Sequence, residues 1–213
     1  MNSARVSHAF ASNLAVDLFL SPAAQGLANG DSALAFAGNA VVSYDTRAFK
    51  VGLGLGGSTI NEHAGDIQSG SSHWDRAGVT IAQLARLGAG DGLHLEVVNS
   101  FVLADGQFAY GGTEVSLQSP AAIVSSTVWL VARGGGGTAG FGFGEVGLRV
   151  LTVGNGGAGS LFLTPTIGGA TVWQEVQSSC DASGSIATGY NGDCYRTVNF
   201  AGPMVGFGVE SRF

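Results

Sequence analysis

Charge is what this chain has least of. Asp, Glu, Lys and Arg make up 11% of its 213 residues, against about a quarter in soluble globular domains, so a soluble protein of this size would be short of solvating groups. Lys50 is the only lysine, and the net charge is −6. No basic patch is available to neutralise phosphates, which excludes nucleic acid as a partner. Cysteine is scarce as well. Cys180 and Cys194 are the only two; they flank a small polar segment, and neither lies in a CxxC or beside a histidine, so they do not build a metal site. Joined, they would close a loop of about 15 residues, contributing roughly 3 kcal/mol and requiring an oxidising compartment; two free thiols are the alternative.

Nor does any segment suit a membrane helix or a secretion signal. The longest uncharged run, 150–174, is long enough by count to span a bilayer as a helix. It is broken by Gly154, Gly156, Gly157, Gly159, Pro165, Gly168 and Gly169, and each glycine costs a helix about 1 kcal/mol and each proline about 3. Two strands separated by a turn at Gly154-Asn155-Gly156-Gly157 use the same run better. The opening Met1-Asn2-Ser3-Ala4-Arg5 carries no cationic segment followed by an apolar one, so no signal peptide is expected here.

Glycine is what the chain has instead, at 36 residues, together with apolar residues at every second position. The apolar content is too high for a disordered chain. Counting period-2 segments between turn signals predicts ten strands, at about 8–20, 33–44, 48–57, 77–87, 93–102, 108–118, 124–133, 139–153, 159–176 and 195–213. Eight is the alternative, if the stretch 115–130 around Pro120 is a loop. Parity is clearest where Phe49, Val51, Leu53 and Leu55 alternate with Lys50, Gly52, Gly54 and Gly56. It slips within 141–153, where Phe141 and Phe143 are odd but Val146, Leu148 and Val150 are even; a β-bulge near Glu145 would reconcile them. Gly140-Phe141-Gly142-Phe143-Gly144 is no dinucleotide-binding turn, because no helix follows.

The last segment decides between barrel and sandwich. Phe213, Ser211, Val209, Phe207 and Val205 fall on one face, and Arg212, Glu210, Gly208, Gly206 and Met204 on the other. This ending resembles the C-terminal assembly signal of bacterial outer-membrane β-barrel proteins, with Phe213, Val209 and Phe207 as its apolar positions; Ser211 departs from the usual hydrophobic residue. The resemblance implies an all-β, antiparallel, up-and-down transmembrane barrel in one domain over 1–213, located in the bacterial outer membrane. Its implied partners are the lipid bilayer and the barrel-assembly machinery, and its implied state a monomer. An even strand count would put both termini on the periplasmic side and the two longest loops, 58–75 and 177–194, outside. Trp74, Trp129, Trp173, Tyr44, Tyr110 and Tyr195 fall near strand ends, where aromatic girdles sit.

Parity predicts a lumen-facing set of Asp17, Arg86, His94, Glu96, Arg149, Glu210 and Arg212. In a barrel this small, interior charges must pair, since unpaired buried charge is expensive; an ion-pair plug is the expectation and a narrow, porin-like polar channel the alternative. Glu62, His63, Asp66, His73 and Asp75 cluster in the 58–75 segment beside Ser69, Ser71 and Ser72. Their spacing matches no metal motif and no nucleophile–base pair, so this segment reads as a solvated surface loop. No cofactor is expected. The functional expectation is a cell-surface structural, recognition or adhesion protein rather than an enzyme. The rivals are a rim-active hydrolase with His63, His73 and Asp66 as its weak catalytic candidates, and a soluble secreted β-sandwich or jelly roll that binds a ligand.

Overall fold

A computed structural model describes residues 2–10, 13–26, 32–64, 72–104, 107–121, 127–137, 141–178, 187–188 and 194–213. The described residues form strands and turns, with no helix. Ten strands follow one another as antiparallel neighbours: β1 (Asn2–Ala9), β2 (Leu14–Gly26), β3 (Ser32–Asp45), β4 (Phe49–Ala64), β5 (Ser72–Gly88), β6 (His94–Ala104), β7 (Gln107–Pro120), β8 (Val128–Gly137), β9 (Phe141–Val153) and β10 (Ser160–Ser178). A two-residue strand, β11 (Ala187–Thr188), precedes the long final strand β12 (Cys194–Arg212). β12 pairs antiparallel with β10 on one edge and parallel with β1 on the other. That second pairing closes an eleven-strand barrel, which excludes a sandwich or jelly roll.

Eleven strands replace the expected ten, and the eight-strand alternative fails because β7 and β8 occupy most of 115–130. The extra strand is at the N-terminal side, where the predicted strand 8–20 is in fact a hairpin. Phe10 N donates to Leu14 O at 2.7 Å, and Asn13 turns the chain at φ 63°, a left-handed conformation that asparagine tolerates better than most residues. An odd count forces the first and last strands to run parallel. The strands therefore put Asn2 and Phe213 toward opposite ends of the barrel, not on the same side.

One end carries the connections 10–13, 46–48, 89–93, 121–127 and 154–159; they are not shorter as a group than those at the other end, where 105–106 and 138–140 join their strands, so the expected contrast of long and short loops is absent. We call the first of these the turn end, and Phe213 lies there, its N–H donating to Ser7 O at 2.9 Å. Gly154, Gly156 and Gly159 take positive φ in the last of these turns, as the glycine-rich sequence there predicted. The opposite, loop end carries the connections after β2, β4, β6, β8 and β10. The segment 58–75 is mostly ladder: β4 runs to Ala64 and β5 begins at Ser72. Polar side chains do not stop a ladder whose backbone groups are already paired.

The parity slip has another cause than the one expected. Pairing of β9 with β8 runs unbroken from Val128↔Val150 to Gly136↔Gly142, so no bulge lies at Glu145. The irregularity is at Thr152, between Val153↔Leu161 and Leu151↔Phe162. Phe143 consequently shares the inward face of Glu145 and Arg149, and Gly144 faces out. Glycine is required where strands curl most sharply. A Cβ at Gly56 would run into the Gly38 carbonyl, and one at Gly168 into the Gly144 carbonyl. These two corners, at β3–β4 and β9–β10, lie on opposite sides of the barrel. Around the first, Val41, Ala82 and Leu84 pack together with Phe19 and Val98, joining strands that are not neighbours.

Candidate functional site

The barrel is inside out relative to a soluble protein. Its outward face carries Leu53 at 66% exposure, Leu55 at 64%, Ile167 at 64% and Val205 at 80%. Among the described side chains, no Asp, Glu, Lys or Arg points outward from a strand. The few outward polar groups include Asn99 and Thr113, which satisfy one another across β6 and β7 at 2.8 Å. At the turn end, outward aromatics gather: His8 packs edge-on against Phe10, and Tyr44 lies beside Phe49.

Charge is concentrated in the lumen. Among the described residues, Arg5, Lys50, Arg86, Arg133, Arg149 and Arg212 share it with Asp17, Asp45, Glu96, Glu114, Glu145 and Glu210. The numbers match, six of each sign among these described residues. At its centre Asp17, wholly buried, is paired with Arg5 at 3.0 Å and with Lys50 at 2.5 Å. It also accepts hydrogen bonds from the hydroxyls of Ser7 and Ser43. Arg5 continues to Glu96 at 3.0 Å, and Lys50 to Asp45, which Arg86 reaches at 2.6 Å. A second group joins Arg149, Glu210 and Arg212. A third pairs Arg133 with Glu145 at 2.7 Å, with Thr166 donating to the same carboxylate.

Side chains from this network also tie down the turns. Arg86 donates to Thr46 O and Arg212 to Gly156 O. His94 Nδ1 lies 3.0 Å from Ala89 O and 3.2 Å from Gly92 O. Trp129 Nε1 donates to Asp91 O at 2.7 Å. Trp129 is therefore no girdle residue: it shares the inward parity of Val131 and Arg133 and is buried against Phe162. At the turn end of the lumen Arg149 lies over the rings of Trp129 and Phe162, and Arg212 over Phe162, an arrangement in which ring faces attract desolvated cations.

The seven residues expected in the lumen lie in this network or beside it. Asp17, Glu96 and Arg86 fall in the first chain of pairs, with His94 at its turn, and Arg149, Glu210 and Arg212 form the second group. Sequence reasoning left out Arg5, Lys50, Asp45, Arg133, Glu114 and Glu145. Lys50 was within reach, since it alternates with Val51 and Leu53. Phe207 and Val209 lie on the outward face of β12 beside β1. Of the polar cluster, Glu62 and His63 belong to β4 and His73 and Asp75 to β5, where His63 pairs directly with His73 and Asn61 with Asp75. Asp66 lies outside the described residues, as does Cys180. Cys194 begins β12, opposite Ser178 and Thr188. No group of three or more candidate metal ligands occurs among the described residues. No protein-family model, curated protein or solved structure matches the chain.

Proposed function

We propose that this protein is a bacterial outer-membrane barrel whose lumen is plugged at the turn end and whose loop end serves a structural, recognition or adhesion role at the cell surface. The observation that carries this reading is the segregation of charge: among the described side chains the lumen holds six cationic and six anionic groups, and the outer wall shows apolar and small or neutral polar residues. In water such a wall would be a large exposed apolar patch; in lipid it is the expected outer band of a barrel, with the turn-end aromatics at one interface. The plug supports a role at the surface over a role as a pore.

Two measurements test the reading. The protein should require detergent for extraction and migrate faster on a gel when unboiled than when boiled. Purification in plain buffer rejects the membrane assignment. In planar bilayers it should give no stepwise conductance, and a steady ohmic pore rejects the plug. If the wild type cleaves ester or peptide substrates and the paired replacement His63→Ala with His73→Ala abolishes this, the hydrolase reading takes its place.

A further inference from the structure

The second lumen group is one counter-ion short. Arg149 meets Glu210 through both Nε, at 3.1 Å to Oε2, and Nη2, at 2.8 Å to Oε1. Arg212 shares the same carboxylate through Nε at 2.9 Å and donates its Nη1 to Gly156 O. Arg5, the register partner of Glu210 across β1 and β12, brings a third cation close but is already paired with Asp17 and Glu96. The first chain of pairs holds three groups of each sign, so it offers no spare anion. Among the described lumen residues, the carboxylate left over is Glu114. It stands level with Gly135 of β8, whereas Arg149 stands level with Trp129; six residues, about 20 Å along the strand, separate the two levels. Residues 11–12 and 122–126, which belong to the turn-end connections but lie outside the described set, include no ionisable side chain.

Two buried donors indicate what supplies the missing charge. Arg149 is 4% exposed and Gln118 7%, and neither Arg149 Nη1 nor Gln118 Nε2 has a hydrogen-bond partner. A buried N–H without an acceptor is costly, and one on a desolvated cation is more so. Register brings the two residues to adjoining levels: Gln118 of β7 is level with Val131 of β8, which is level with Gly147 of β9, two residues before Arg149 on the same inward face. Gly147 in turn faces Thr166 of β10, and Thr166 faces Gly206 of β12, with Gly208 next along opposite Thr164. Three inward glycines therefore add no side chain to the lumen just above the Arg149 guanidinium. That level has room for a small ion where longer side chains would close it.

We propose that Arg149 Nη1 and Gln118 Nε2 hold a small monovalent anion of the chloride class in the lumen, on the loop-end side of the Arg149, Glu210 and Arg212 group. One negative charge there balances the group and gives both orphaned donors an acceptor. A water molecule would satisfy the donors and leave the charge, and a divalent anion would overshoot it. The proposal rests on the lumen geometry and not on the membrane reading.

The test uses the full chain folded in detergent, with sodium chloride or bromide exchanged for sodium gluconate at one ionic strength of about 0.2 M, so that screening is the same throughout. A ligand that binds only the folded state raises the unfolding midpoint by mass action. The wild type should melt about 3 °C or more higher in either halide than in gluconate, and equal midpoints overturn the proposal. Gln118→Glu puts a carboxylate of the same size where the anion sits. It should melt in gluconate near the wild-type value in chloride and respond to neither halide, whereas a response equal to the wild type's shows a general salt effect and removes the site. Crystals of the wild type grown in bromide give a reading that needs no variant. An anomalous peak beside Arg149 Nη1 and Gln118 Nε2 supports the site; no peak there, or peaks confined to the outer surface as an adventitious ion only, rejects it.

Discussion

The guanidinium of Arg149 lies 3.6 Å from the ring centre of Phe162, and Arg212 approaches the same ring at 4.8 Å. Two cations share one aromatic ring, and Glu210 sits between them as the common counter-ion. Phe162 is 1% exposed. The ring acts as a spacer that lets two positive charges occupy a narrow cross-section.

Replacing Phe162 with Ala should therefore do two things. Loss of a fully buried ring costs about 3 to 5 kcal/mol, read as a lowered denaturation midpoint in detergent. Planar-bilayer recordings should then show conductance steps that the wild type lacks, because the guanidinium groups lose the surface that holds them across the lumen. A variant as silent as the wild type would show that Trp129 and the turns block the lumen without Phe162.

Asp17 is the most connected carboxylate. Asp17→Asn should destabilise the barrel by about 3 to 5 kcal/mol, since it leaves Arg5 and Lys50 facing each other with one fewer buried partner. Adding Lys50→Met should recover part of that loss by removing a stranded cation. With Lys50→Met alone as the third variant, these form a double-mutant cycle, measured by chemical denaturation. Additive losses would show that Lys50 draws its compensation from Asp45 alone.

Leu53 tests the outer wall. In a lipid bilayer Leu53→Arg should cost about 2 to 4 kcal/mol, as an arginine on the lipid face near mid-membrane does. The same replacement on a water-exposed wall would change stability by no more than about 0.5 kcal/mol. Unfolding in lipid vesicles separates the two.

The parallel closure can be trapped chemically. Ala4 is the register partner of Val209, so Ala4→Cys with Val209→Cys, in a background lacking Cys180 and Cys194, should form a disulfide on mild oxidation. Ala4→Cys with Val205→Cys, about four residues out of register and so roughly 13 Å away along the strand, should not. The reverse result would mean that β1 and β12 pair in another register.

What the sequence showed and hid follows from which forces are local. The outward apolar rows were legible because Phe49, Val51, Leu53 and Leu55 alternate with Lys50 and three glycines within a few residues. β1 was not, since Asn2–Ala9 has no large alternating apolar side chains and its partner, β12, lies at the far end of the chain. The misplaced bulge came from taking Phe141 and Phe143 to face lipid. With Phe143 inward, the parity from Phe143 through Glu145 to Arg149 is continuous, and Glu145 joins the lumen network unaided. The polar stretch around His63 and His73 looked like a loop because side-chain polarity is visible in a sequence, whereas backbone pairing between β4 and β5 is not.

The pairing of Asn2 with Phe207 also fixes the order in which the barrel can form. Every other neighbouring pair in the barrel joins strands consecutive in the chain or separated only by β11, so each can zip onto the last as it forms. The closing pair must bring together segments about two hundred residues apart, and chain-closure entropy for a loop of that size is on the order of 5 kcal/mol. Until the other strands have assembled and shortened that distance, β1 and β12 remain strangers. Closure by β1 and β12 is accordingly favoured only once the other strands have paired, and a barrel paired only between chain neighbours leaves the facing edges of β1 and β12 open.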